Sequence, residues 1–137
     1  MSDEKKVIIG YLYTKFDFIQ NLENFINFYK KNPPGYNHDL LICYKLLNDV
    51  EINILRKITK TIKHIEFIDQ SVLNDYDFDS YKRIAETYPN SPIFFNLGHA
   101  YPVSKMWLKK IMSHFNERTL IGSSASYESI FSSVKIK

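Results

Sequence analysis

The 137-residue chain holds one cysteine, four glycines and one tryptophan. A lone Cys43 excludes an internal disulfide, and its place in the apolar run Asp39 to Leu46 reads as a buried, inert thiol. Four glycines leave no room for a glycine-rich phosphate loop. Gly10 stands alone in an apolar run, and neither a dinucleotide fingerprint nor a Walker-type loop occurs. Also missing are a Cys-x-x-Cys, a histidine pair at zinc spacing and a Gly-x-Ser-x-Gly elbow. No stretch approaches the ~20 apolar residues of a membrane span. Ser2 to Lys6 lead into a run too short for a secretory signal, so a cytoplasmic, reducing location is expected. Charge of one sign is lacking too: 18 basic and 15 acidic residues leave a net charge of +3. Both signs are interleaved, and nucleic acid is not expected as a partner.

What is present is a globular composition, 45% hydrophobic and 24% charged, with ten tyrosines and ten phenylalanines. The length fits one domain, 1–137. Val7 to Tyr13, Asp39 to Leu46, His64 to Ile68, Ile93 to Asn96 and Thr119 to Ser124 read as five short strands. Helical spacing marks Phe16 to Lys31, a segment from Asp49 through Ile62, one from Asp77 through Tyr88, and Met106 to Phe115. Alternating strands and helices predict an α/β fold: a Rossmann-like, mostly parallel sheet of about five strands with helices on both faces. Continuous apolar strands fit a sheet covered on both sides.

In such sheets ligands bind beyond the carboxyl ends of the strands. That places Thr14 and Lys15, then Lys45, Asn48 and Asp49, then Asp69 and Gln70, then Asn96, Gly98 and His99, then Ser123 to Glu128, on one expected rim. The spacing of Asp75, Asp77 and Asp79 resembles the start of a calcium loop, but the loop's glycine and closing glutamate are missing. Helix capping and the helix dipole account better for Asp77 and Asp79. His38 and His64 read as surface or turn residues, and Trp107 as packing.

Four segments carry a resemblance: PPGYNHDLLICYK (Pro33 to Lys45), DFDSYKRIAETYPN (Asp77 to Asn90), PIFFNLGHAYPVSKMWLKK (Pro92 to Lys110) and LIGSSASYES (Leu120 to Ser129). In their order and spacing the chain resembles the amino-terminal, nucleotide-binding half of a GT-A-type glycosyltransferase. More narrowly, it is similar to bacterial glycosyltransferase-like proteins of surface-polysaccharide synthesis. The resemblance implies a nucleotide-sugar donor over the carboxyl edge and a glycan acceptor. Tyr11, Tyr13 and Thr14 would approach the nucleotide, with Asn48, Asp49 and Asp69 near base and ribose. Asp77 and Arg83 match the segment leading to the fourth strand, and Asn96 and His99 would face the diphosphate.

Two departures qualify what is implied. The family's fourth strand ends in an Asp-x-Asp signature holding Mg²⁺ or Mn²⁺; here Asn96, Leu97, Gly98 and His99 stand instead. One amide and one imidazole make a poor site for a hard cation. A complete domain of this kind also continues past its fifth strand, and only His99 and Glu128 are candidates for a catalytic base. Two readings follow: sugar transfer from a nucleotide-sugar, or a non-catalytic module, derived from a transferase, that binds a nucleotide, a glycan or a protein. A shortened sheet would leave an edge uncovered, so a homodimer or partner protein is expected.

Overall fold

The computed structural model describes residues 6–69, 77–98 and 100–114. The elements run β1 (Val7–Thr14), α1 (Ile19–Lys31), β2 (His38–Lys45), α2 (Asp49–Thr59), β3 (Ile65–Asp69), α3 (Asp77–Thr87), β4 (Ile93–Asn96) and α4 (Trp107–Met112). Among the described residues the sheet has four strands, all parallel, in the order β3-β2-β1-β4. This is a Rossmann-like arrangement. The expected fifth strand, Thr119 to Ser124, lies outside the described residues.

Side-chain alternation divides the core into two layers. Ile9, Tyr11, Leu40, Ile42 and Tyr44 meet Leu22, Phe25 and Ile26 of α1, Ile52 and Leu55 of α2, and Leu108 of α4. On the other face Ile8, Leu12, Leu41 and Cys43 meet Tyr81 and Ile84 of α3. Strand order explains the change of face. The chain moves outward from β1 to β3 with its helices on one side, then returns past β1 to β4. A right-handed crossover in the reverse direction needs its helix on the opposite side.

Two helix boundaries differ from the sequence pattern, each for a local reason. The apolar periodicity predicts a start for α1 at Phe16, but the helix begins at Ile19. Thr14 to Asp17 form a tight turn instead, closed by Asp17 N–H donating to the Thr14 carbonyl at 3.0 Å. The helix at Met106 begins only at Trp107, because Met106 adopts a left-handed φ of 60°. Its first N–H groups are satisfied from outside the helix: Met106 N–H donates to the Pro33 carbonyl, and Leu108 and Lys109 N–H to that of Pro34. Gly35 at φ 73° makes room, since a Cβ there would lie 2.4 Å from the Met106 sulfur.

Candidate functional site

The strand-end residues do not all reach the same height. Thr14, Lys45 and Asp69 are level in the register, whereas Asn96 pairs with Tyr11, three residues lower. At ~3.3 Å per residue, Asn96 sits roughly 10 Å below the rim. It also occupies the face opposite Asp69, and among the described residues β3 and β4 are the two edges of the sheet. The expectation that Asp69 and Asn96 converge on one ligand is therefore corrected.

Each of these two residues instead serves the fold. The Asp69 carboxylate is almost wholly buried, and its Oδ2 accepts from Ser80 Oγ at 2.6 Å and Arg83 Nη2 at 2.8 Å. This ties α3 to the end of β3. Buried Lys45 lies beside Asp69 on the same face, and charge from Asp69, Lys45, Arg83 and Asp77 reaches Cys43. The Cys43 thiol is buried, as expected, and pushed up to about 12, first by burial and then by Asp69. Asn96 donates from Nδ2 to the Leu97 and Ala100 carbonyls at 2.9 and 2.7 Å, shaping the turn after β4.

Because β4 stops at the level of Tyr11, the last residues of β1 rise above it and leave a step. This is the point where strand order reverses, the place at which open α/β sheets bind ligands. Asp17 fills the step. Its Oδ2 accepts from Thr14 N–H at 2.9 Å and Thr14 Oγ1 at 3.2 Å. Its carboxylate lies against Gly98, where an added Cβ would come within 2.6 Å. Tyr11 fixes the same turn from beneath: fully buried and stacked on Phe25, it donates its hydroxyl to the Gly98 carbonyl at 2.6 Å. Burial, then Asp17, raises the Tyr11 phenol far above its ordinary value, so it stays a neutral donor. Tyr11 is thus a supporting core residue with no surface of its own on the rim.

Beside this step opens a shallow cleft of about 130 Å³ between the β1–α1 turn and α2. Tyr13, Lys15, Asp17 and Glu51 supply its polar groups, and Ile19, Leu47, Ile54 and Leu55 its apolar wall. Tyr13 donates its hydroxyl to the Asp17 carbonyl at 3.3 Å, and burial followed by Asp17 raises its pKa. Glu51 is placed by a reciprocal cap at the start of α2. Asn48 Oδ1 accepts from Glu51 N–H at 2.8 Å, and Glu51 Oε1 accepts from Asn48 N–H at 2.9 Å. Asn48 is therefore the helix cap, and Asp49 stands exposed in the first turn. Of the nine large hydrophobic residues exposed among the described residues, Ile19 and Ile54 line the cleft, and Phe16, Phe18 and Val50 are chain neighbours of its lining residues.

The structure brings Tyr13 and Thr14 to this cleft or its edge. It places Asp69, Asp77 and Arg83 with α3 on the opposite face. His99 and Glu128 lie outside the described residues. Asp17 and Glu51 escaped the sequence reading, which assigned Asp17 to a helix and overlooked Glu51. The Asn-x-x-Glu spacing of Asn48 and Glu51 is a capping-box signal that could have located the latter. At the fourth-strand end a divalent cation would meet the Asn96 amide, whose Nδ2 is engaged with the Leu97 and Ala100 carbonyls, and one carboxylate, Asp17, that already accepts from Thr14, a poor set for a hard cation. Among the described residues no three His, Cys, Asp or Glu side chains group to hold a metal ion. None of their helices is long and apolar enough to cross a membrane. Comparison with protein-family models, curated proteins and solved structures finds no match to the chain.

Proposed function

We propose that the chain is a glycosyltransferase-like module that binds a nucleotide-sugar at the carboxyl edge of its sheet, with the base in the cleft and the sugar and diphosphate lying across the rim. One observation carries the reading: the cleft opens at the carboxyl ends of β1 and β2, beside the reversal of strand order, with a pre-set carboxylate, a lysine and an apolar wall. A cavity of about 130 Å³ suits one ring system rather than a whole nucleotide-sugar, so sugar and phosphates would lie across the rim. The residues that pre-set the cleft are themselves fixed: Asp17 by Thr14, Glu51 by Asn48. Preorganisation of this kind reduces the entropy lost on binding.

A non-catalytic nucleotide-binding module is the second reading, and a specific observation favours it. The end of β4, where the resembled family keeps its metal-binding aspartates, carries an asparagine engaged in shaping its own turn. Calorimetric titration with GDP, UDP and dTDP tests the shared core of both readings. At least one nucleotide is expected to bind and to be displaced by its own nucleotide-sugar. No heat of binding from any of them at millimolar concentration contradicts nucleotide binding. Release of free sugar or transfer to a glycan then separates the enzyme from the binding module.

A further inference from the structure

We infer that the cleft selects a guanine base, with Glu51 as the residue that decides the preference; the inference rests on the nucleotide-binding reading above. The cleft holds two carboxylates and one ammonium group, and neither carboxylate is saturated. Asp17 uses Oδ2 for Thr14, and Glu51 uses Oε1 for Asn48. Among the described residues Asp17 Oδ1 and Glu51 Oε2 accept no hydrogen bond. Lys15 pairs with neither carboxylate; its ammonium stands 5.2 Å over the Phe16 ring. The cleft thus offers surplus acceptors and one strong donor.

The bases differ in how they answer that pattern. The pairing edge of guanine presents N–H donors at N1 and N2 beside the O6 acceptor. With one open oxygen each, the two carboxylates can accept from N1–H and N2–H while the ammonium donates to O6, which satisfies all three. Uracil and thymine present a single N–H between two carbonyl oxygens, so the second carboxylate would face an oxygen. Electrostatic repulsion and an unmet acceptor then penalise the wrong base. Ile19, Leu47, Ile54 and Leu55 supply the apolar surface that a flat ring covers. Phe16 and Phe18, about three-quarters exposed at 74% and 75%, flank the cleft residue Asp17 in the chain.

The test is titration of GDP, UDP and dTDP into the wild-type chain and into Glu51→Gln. Glutamine also closes the capping box, so the start of α2 is retained; a melting curve beside that of the wild type checks this. GDP is expected to bind the wild type at least about tenfold tighter than UDP or dTDP, the scale of one hydrogen bond to a charged group. Glu51→Gln is expected to lose most of that preference, through weaker GDP binding and UDP binding that is unchanged or tighter. Tighter or equal binding of UDP or dTDP overturns guanine selectivity and leaves nucleotide binding standing. A GDP preference unchanged in Glu51→Gln overturns the role of Glu51. Absence of binding by all three removes the nucleotide reading and this inference together.

Discussion

At the scale of single residues, the polar groups at the strand ends divide into those that hold the fold and those that stay available. Asp69 belongs to the first kind. Removing this buried carboxylate takes an acceptor from both Ser80 Oγ and Arg83 Nη2. Asp69→Ala is expected to cost about 3 kcal/mol, which lowers the melting temperature by on the order of 10 °C. A normal melt combined with weakened nucleotide binding would instead show that Asp69 faces the ligand. Gly98 is a glycine because of space, not φ. A methyl group there meets the Asp17 carboxylate, which Thr14 holds in place. Gly98→Ala should therefore destabilise by roughly 1–3 kcal/mol and weaken nucleotide binding as Asp17 is displaced. Denaturant unfolding and calorimetry on that variant check both effects; unchanged affinity counts against Asp17 as part of the site.

At the scale of elements, α2 links the cleft to the edge of the sheet. Its first turn presents Glu51 and its last turn presents Arg56, which clasps Glu66 of β3 with Nε and Nη2 at 2.9 and 2.8 Å. The hydrogen bonds from Arg56 hold the Glu66 carboxyl below the usual glutamate range. The pair's contribution is therefore present above the unfolded glutamate value and lost as pH falls through the lower folded one. Glu66→Gln should melt below the wild type at pH 7, and the gap should close on acidification and shrink in high salt, since the pair is exposed. A gap that is constant with pH contradicts the assignment. Of the helices, α4 was the least legible in the sequence. Its place depends on carbonyls of Pro33 and Pro34, about seventy residues earlier, and on Trp107 donating to the Asn32 carbonyl at 3.1 Å. Its packing on the α1 face has a topological consequence: a parallel strand on the free side of β4, reached directly through α4, would make a left-handed crossover.

At the scale of the whole molecule, hydrophobic runs and helical periodicity made the α/β architecture readable, because burial on both sheet faces writes strands as unbroken apolar segments. Register was not readable in the same way. Nothing in the run Ile93 to Asn96 says that it pairs with Ile8 to Tyr11 rather than reaching Thr14, so Asn96 was expected on a rim that stands above it. The cleft was half legible. Thr14 and Lys15 follow from the strand-end rule and Tyr13 from the resemblance, whereas Asp17 and Glu51 depend on a turn and a cap whose side-chain geometry periodicity does not encode. Where the nucleotide binds is read out by amide chemical-shift mapping during titration with GDP. The largest shifts are expected at Tyr13 to Asp17, at Leu47 to Glu51 and at Gly98. Shifts confined to the opposite edge of the sheet, around His38 and Trp107, or to α3 near Arg83, would contradict the account.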